Sequence, residues 1–168
     1  MDAFVNQWLS YAVGALDILE PEMQRTRMLR DDPGFPERFL VSGGRDHLTG
    51  TPPADRMPDF IAFYGARDGA GAAVLSVMQA DIDGTLVPSR AAIAKKFGLS
   101  KTQVSNVMAI GEAQGFFTLN SAGVPAATPR LRDSYGSWIS IELAFYARHM
   151  RPPQCAGQKT ISPKGMSA

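Results

Sequence analysis

The sequence has very few of the residues that bind metals or form covalent cross-links. Cys155 is the single cysteine among 168 residues, which excludes a disulfide within one chain and a zinc site built from several thiolates. The two histidines, His47 and His149, have no acid or thiol at metal-ligand spacing, and we expect both to face solvent. The sequence therefore predicts neither a bound metal nor a cofactor.

The sequence also lacks the marks of an exported, membrane-bound or catalytic protein. No lysine or arginine precedes the first apolar segment, and no uncharged apolar run reaches the roughly 18 residues of a membrane span. The glycine-rich stretch 67–72 lacks the Lys-Ser/Thr ending of a phosphate-binding loop. No pattern brings a nucleophile, a base and an orienting group together. We therefore expect a cytoplasmic protein with no membrane segment and no enzymatic activity.

Charge is nearly balanced over the whole chain but is unevenly distributed. The net charge is only +1, so overall electrostatics do not indicate a nucleic-acid partner. Between residues 84 and 132, six basic residues stand against one acid, Glu112, so this segment carries +5 and the remainder −4. The six are Arg90, Lys95, Lys96, Lys101, Arg130 and Arg132. A basic segment on an acidic body favours attraction to phosphates.

The amino-terminal part is predicted to hold two helices and a long irregular connection. A helix over 3–19 has one apolar stripe of Val5, Trp8, Leu9, Ala12, Leu16 and Leu19, and a second stripe of Phe4, Tyr11, Ala15 and Ile18. A helix apolar on two sides is buried on both, within the monomer or against a partner. A charged helix is predicted over 22–30. Turn residues dominate 31–58, with a short strand at 38–42 as an option.

The rest of the chain is predicted to be helical apart from one small hairpin, which makes the fold class mainly α. The expected elements are helices over 60–66, 72–82 and 130–150, a strand fragment at 85–87, and a hairpin of 116–119 with 124–128. We set the domains as an amino-terminal arm at 1–56, a main domain at 57–150 and a tail at 151–168. The tail is rich in Pro, Gly, Ser and Lys, and we expect it to be disordered.

Residues 89–106 carry the strongest functional signal, because they predict two short helices joined by a tight turn. The apolar inner face consists of Ile93, Ala94, Phe97, Leu99, Val104 and Val107. Gly98 stands where a positive φ is needed. Ser89 is the expected N-cap of the first helix, and Ser100 with Gln103 forms a capping box at the start of the second. Five polar side chains are left facing outward: Lys101, Thr102, Gln103, Ser105 and Asn106.

In this order of elements, residues 72–128 resemble the winged helix–turn–helix domain of bacterial transcriptional regulators, most specifically between Arg90 and Val107. The resemblance implies that Lys101, Thr102, Gln103 and Asn106 face bases in the major groove, with Ser105 at the edge. It implies phosphate contacts from Arg90, Lys95 and Lys96. The expected wing, 118–128, has no lysine or arginine. It is either passive, or Arg130 and Arg132 take its place.

The partners that follow are double-stranded DNA and a second copy of the chain. The helices at 3–19 and 130–150 carry more apolar surface than one small domain should expose, and we predict a homodimer through them. Two recognition helices would then reach successive major grooves. An effector of unknown identity could bind between the arm and the main domain. The alternative function is a winged-helix module that contacts proteins without binding DNA.

Overall fold

The computed structural model describes residues 2–50, 56–65, 69–121 and 123–151, with no account of the side chains of residues 2–5 and 8. These residues form eight α-helices and one two-stranded antiparallel sheet, which confirms the mainly helical class with a small hairpin. The chain forms two compact units, residues 1–46 with 143–168 and residues 47–142. Residues 152–168, which make up nearly all of the predicted tail and include Cys155, lie outside the described residues.

The first unit is built from short helices around a small apolar core. Its elements are α1 (Asp2–Leu19), a 3-10 turn (Pro21–Met23), α2 (Arg25–Asp31), α3 (Phe35–Thr49) and the carboxyl end of α8 (Pro129–His149). The core residues are Leu9, Val13, Leu16, Phe35, Phe39 and Met150. Leu9, Val13 and Leu16 recur at helix spacing, so α1 buries one face. Leu9 and Leu16 belong to the first predicted apolar stripe, whereas Val13 belongs to neither stripe.

The charged helix predicted over 22–30 is interrupted at Gln24, whose φ of 48° lies in the left-handed region. The carboxylate of Asp17 accepts hydrogen bonds from the backbone N–H groups of Arg25 and Thr26, each at 2.8 Å, and so caps the start of α2. Arg25 is buried, forms an ion pair with Glu20, and donates from Nε to a backbone carbonyl oxygen at 3.1 Å. A long-range contact therefore fixes where α2 begins.

The irregular connection predicted over 31–58 is wrong for residues 35–49, and so is the strand at 38–42, because residues 35–49 form the helix α3. Residues 51–55 of that connection lie outside the described residues. Phe35, Phe39 and Gly43 are buried at a spacing of four, which places them on one helical face. A Cβ atom at Gly43 would lie 3.0 Å from the ring of Phe145, so the absence of a side chain there permits close packing. The glycines that suggested a loop serve helix packing instead.

His149 is not the solvent-facing residue that we predicted, since its side chain is only 7% exposed. Its Nδ1 lies 2.7 Å from Ser42 Oγ, and its Nε2 lies 3.0 Å from Asp46 Oδ2. Arg148 also pairs with Asp46, at 3.3 Å. These contacts join the carboxyl ends of α3 and α8 within the first unit. His47 is exposed, as predicted.

We expect Asp46→Asn to lower the stability of the first unit more at neutral pH than in acid. The hydrogen bond from His149 and the charge of Arg148 lower the pKa of Asp46 in the folded protein. A carboxyl group with a lowered pKa stabilises the fold above its unfolded pKa of about 4, and this contribution is lost as the pH falls through the folded value. Urea unfolding at pH 7 and at pH 3 measures the effect. Glu112→Gln is the control, since Glu112 has no ion-pair partner in the described part of the chain, and a difference that does not shrink between pH 7 and pH 3 would refute the linkage.

The second unit contains the remaining elements. They are α4 (Pro58–Gly65), α5 (Ala70–Asp83), α6 (Arg90–Phe97), α7 (Lys101–Ala113), β1 (Phe117–Leu119), β2 (Pro125–Ala127) and the amino-terminal part of α8. Four buried phenylalanines form the centre of its core: Phe60, Phe63, Phe116 and Phe117. Phe63 stacks on Phe116 with ring centroids 5.1 Å apart. The core therefore fixes the hairpin and α4 around the buried side of α7.

The small sheet contains only the predicted hairpin. β1 and β2 are antiparallel, with Phe117 opposite Ala127 and Leu119 opposite Pro125. The strand fragment predicted at 85–87 is wrong, because that segment forms no strand and the described sheet contains only β1 and β2. Leu86 in this segment is 89% exposed, so the apolar side chain that suggested a buried strand lies in solvent.

Candidate nucleic-acid interface

Local chemistry sets the geometry of the two helices α6 and α7. Ser89 Oγ accepts a hydrogen bond from the backbone N–H of Ala92 at 3.2 Å, which confirms Ser89 as the N-cap of α6. Gly98 has a φ of 69°, and the N–H of Leu99 bonds the carbonyl oxygen of Ala94 at 2.9 Å. The left-handed glycine thus ends α6 and turns the chain into α7 after two residues.

The capping box at the start of α7 is confirmed. Ser100 Oγ accepts from the backbone N–H of Gln103 at 3.0 Å, and Gln103 Oε1 accepts from the N–H of Ser100 at 2.8 Å. This has a functional consequence, because bidentate recognition of adenine needs the side-chain oxygen of a glutamine. Gln103 could present both the oxygen and the NH2 group of its side-chain amide to a base only by giving up its hydrogen bond to Ser100.

The buried side of α7 holds the helix firmly against the second unit. Val104, Val107, Met108 and Gly111 are buried along it. A Cβ atom at Gly111 would lie closer than 3.0 Å to two ring carbons of Phe117, a distance that Cβ atoms in proteins essentially never show. It would also lie 3.0 Å from the ring of Phe63. The helix therefore lies as close to these rings as a glycine allows, which fixes the direction in which its opposite side faces.

That opposite side leaves the predicted base-contacting residues open to solvent. Lys101, Thr102, Gln103 and Asn106 are exposed, and Ser105 is half-buried. Lys101 has no ion-pair partner among the residues that the structure describes. An uncovered helix amino terminus with a free cation attracts anions, because backbone N–H groups and the helix dipole add to the charge.

Two further free cations lie at the end of α6. Lys95 and Lys96 are exposed, and neither forms an ion pair within the described ranges. The ammonium of Lys96 lies 5.3 Å from the ring centroid of Phe97, a cation–π distance. Because they precede the turn into α7, these lysines and Lys101 place three unneutralised positive charges along one short stretch of chain.

Arg90 differs from the lysines because its guanidinium is half-buried. Its Nη1 lies 3.5 Å from Ser105 Oγ, and its Nη2 lies 3.3 Å from the carbonyl oxygen of Gly123. It therefore links α6, α7 and the turn of the hairpin. Both contacts are long for hydrogen bonds, so a phosphate could compete for this side chain.

Arg130 and Arg132 are engaged by carboxylates of the same unit. Arg130 pairs with Asp59 at 3.1 Å, donates to the carbonyl oxygen of Gln114 at 2.7 Å, and stacks over the ring of Phe116. Arg132 donates two hydrogen bonds to Asp81, at 2.6 and 2.7 Å, and thereby lowers the pKa of that carboxyl group. A phosphate contact from either arginine would have to displace its carboxylate.

These pairs change the charge that the segment 84–132 presents. Its sequence charge is +5, but Asp59 and Asp81 lie outside the segment and neutralise two of its arginines. The effective charge is therefore +3. This equals the charge of Lys95, Lys96 and Lys101, because Arg90 and Glu112 cancel in the count although they form no ion pair with each other in the described residues. The basic surface is smaller than the sequence indicated, but it lies beside the exposed start of α7.

The hairpin presents polar and apolar groups but no cation in its described residues. Asn120 Oδ1 accepts from the N–H of Val124 at 2.9 Å and shapes the turn. A cavity of about 330 Å³ lies between the hairpin, the segment 85–87 that follows α5, and α5 itself. It is lined mainly by Val77, Leu86, Val87, Leu119, Val124 and Pro125. Its one carboxylate, Asp81, is already paired with Arg132.

Comparison of the chain with protein-family models, curated proteins and solved structures finds no match. The geometry of α6 and α7 is therefore the main indication of function. Within the described ranges, no three side chains of His, Cys, Asp and Glu cluster closely enough to hold a metal ion. No helix in that part of the chain has both the length and the apolarity to cross a lipid bilayer.

Proposed function

We propose that the protein is a sequence-specific DNA-binding transcriptional regulator that uses the winged-helix arrangement. In this proposal the amino-terminal turns of α7 enter the major groove, and Lys101, Thr102 and Asn106 reach base edges. Lys95 and Lys96 contact phosphates on one side, and Arg90 adds a weaker contact. The chain acts as a homodimer, so that two copies of α7 bind two half-sites.

The observation that carries the proposal is the uncovered, capped start of α7 beside three lysines that have no ion-pair partner among the described residues. If Thr102, Gln103 and Asn106 were covered by the protein's own chain, a groove-binding role would be excluded, but all three are exposed. The order α5, α6, α7, hairpin supports the same arrangement. The tight seat of α7 on Phe63 and Phe117 adds rigidity, which a helix that positions side chains against bases requires.

Selection of bound sequences from a random duplex pool, followed by salt titration, tests the proposal. We expect an enriched motif with two half-sites about one helical turn apart. The slope of log K against log salt should be about −3 per protomer, since the charges of Lys95 and Lys96 at phosphates and of Lys101 in the groove together release roughly three counterions. Lys95→Gln should reduce that slope by about one, whereas Arg27→Gln, in the first unit, should not change it.

A second candidate is a protein-interaction module, which the uncharged hairpin and the exposed Leu86 favour. The same measurement separates the two functions. No DNA binding at low salt, by a folded full-length chain, would contradict the regulator and leave the interaction module. Enrichment of a motif with a steep salt slope would contradict the module.

A further inference from the structure

Helix α1 buries only one of its two apolar faces. Leu9, Val13 and Leu16 are essentially inaccessible to solvent, whereas Tyr11 is 73% and Ile18 is 83% exposed. Because each helical residue advances by about 100°, Tyr11 and Ile18 lie on the side directly opposite the buried one. Gly14 and Ala15 lie between them, and nothing stands within 4 Å of the position where a Cβ atom at Gly14 would be. We call Tyr11, Gly14, Ala15 and Ile18 the α1 stripe.

The chemistry of the α1 stripe favours a protein partner over a lipid surface. Residues 3–16 contain no charged side chain, and α1 contains no lysine or arginine at all. Helices that lie on membranes carry basic residues along their polar face, and α1 offers none. A charged peptide or nucleic acid would find no complementary charge there. The partner must therefore present an uncharged apolar helix or groove of its own.

The order of residue sizes along the stripe is symmetric about the point between Gly14 and Ala15. Reading in either direction gives one large residue, two small ones and one large one. If two copies of α1 cross there in antiparallel fashion, Tyr11 of each packs against Ile18 of the other. The small residues at the crossing let the backbones approach closely. Such reciprocal contacts define a two-fold interface, in which one surface serves both subunits.

We propose that the α1 stripe docks onto the α1 stripe of a second copy of this chain, as an antiparallel pair around a two-fold axis. Antiparallel packing also places opposite ends of the two helix dipoles together. The contact supplies a surface for the dimer of the proposed function, and it can form whether or not the protein binds DNA.

The extent of the stripe predicts a reversible dimer. A standard interface buries about 800 Å² on each partner, with roughly 20–30 residues a side. The stripe provides a four-residue centre on a helix about 27 Å long, so neighbouring residues such as Leu19, 64% exposed, must complete it. We therefore expect self-association that depends on protein concentration.

Sedimentation of the full chain tests whether the stripe holds the dimer. We expect the wild type to dimerise as its concentration rises, and Ile18→Glu to raise the dimer dissociation constant at least about tenfold, since two carboxylates enter an apolar seam. Leu86→Glu is the matched control, because Leu86 is 89% exposed in the second unit. Circular dichroism verifies that both variants fold. A wild type that stays monomeric, or equal weakening by both variants, overturns the proposal.

Cross-linking tests the antiparallel register in a Cys155→Ser background. Ala15→Cys lies next to the axis and should form a disulfide with its own copy under mild oxidation, because the helices approach most closely there. Tyr11→Cys and Ile18→Cys should each stay unlinked alone and should link when mixed. Disulfides of Tyr11→Cys with itself would indicate a parallel pair and overturn the proposal.

Measuring DNA binding on the same samples keeps the two proposals separate. A dimer linked in this register that binds no DNA would contradict the proposed function and support the α1 contact. A monomer that selects a DNA motif would contradict the α1 contact and support the DNA-binding function.

Discussion

Gly111→Ala is expected to lower the free energy of unfolding of the second unit by about 2–3 kcal/mol, which shifts its melting temperature by roughly 10 °C or more. A Cβ atom at this position would overlap two ring carbons of Phe117 and touch Phe63. Both rings are 1% exposed and packed on all sides, so neither can move away cheaply. Alanine favours a helix over glycine by up to about 1 kcal/mol, and this gain offsets only part of the overlap.

The matched control for this prediction is Gly136→Ala in α8. Gly136 is also in a helix, but nothing lies within 4 Å of its Cβ position. Its replacement should therefore stabilise the protein by about 0.5–1 kcal/mol through helix propensity alone. Thermal unfolding followed by the fluorescence of Trp138, in a Trp8→Phe background, reports on the second unit. Equal stabilisation by both substitutions would show that α7 is not seated against Phe117 as described.

A second-site change can show that the overlap with Phe117 is the cause. Phe117→Leu removes the ring and leaves space above Gly111. In that background Gly111→Ala should cost less than it does in the wild type, because the two positions are in contact and their effects do not add. An unchanged cost would place the strain elsewhere, for example on Phe63.

The sequence predicted α6 and α7 well because their boundaries depend on neighbouring residues. Ser89, Gly98 and the Ser100–Gln103 box each act within five residues of their own position. Such interactions are visible in a sequence without knowledge of the fold. The hairpin after α7 was predicted for the same reason, since Gly115 follows the end of α7, Gly123 lies in the turn between the strands, and both take positive φ values.

The sequence predicted poorly wherever a distant residue decides the outcome. Residues 35–49 contain two adjacent glycines and a proline, which favour a loop, yet packing of Gly43 against Phe145 makes them helical. His149 is enclosed by Ser42 and Asp46, more than one hundred positions away in the chain. No local pattern signals these contacts, because tertiary packing overrides propensity.

In the candidate interface too, features set by neighbouring residues could be predicted and those set by distant residues could not. The exposure of Lys101, Thr102 and Asn106 follows from the helical period and could be predicted. The carboxylates that neutralise Arg130 and Arg132 come from positions 59 and 81, on α4 and α5. Charge counting along a segment assumes that its residues are free, and only the fold shows which of them are paired.

Replacing Lys101 and Asn106 together by alanine is expected to weaken binding to a selected DNA sequence by at least about 100-fold. Asparagine can pair with adenine through two hydrogen bonds, and a contact of this kind discriminates by about 1–3 kcal/mol. Loss of Lys101 removes a further charge from the amino terminus of α7 and should reduce the salt slope by about one per protomer. On random duplex DNA the double variant should lose much less affinity, because the phosphate contacts of Lys95 and Lys96 persist.

This pair of substitutions tests recognition without disturbing the helix, whereas a change at Gln103 would do both. Gln103→Ala removes one half of the capping box, which contributes on the order of 1 kcal/mol to helix stability. Lys101 and Asn106 are exposed and take no part in the cap. Gln114→Ala is the matched control: it lies at the other end of α7, and its backbone carbonyl keeps the bond to Arg130. If the double variant retains wild-type affinity and sequence preference, then α7 does not read the bases. The proposed function would then fall, because α7 is the one helix of the second unit whose start, among the described residues, combines a side-chain cap with a neighbouring cluster of lysines that form no ion pair.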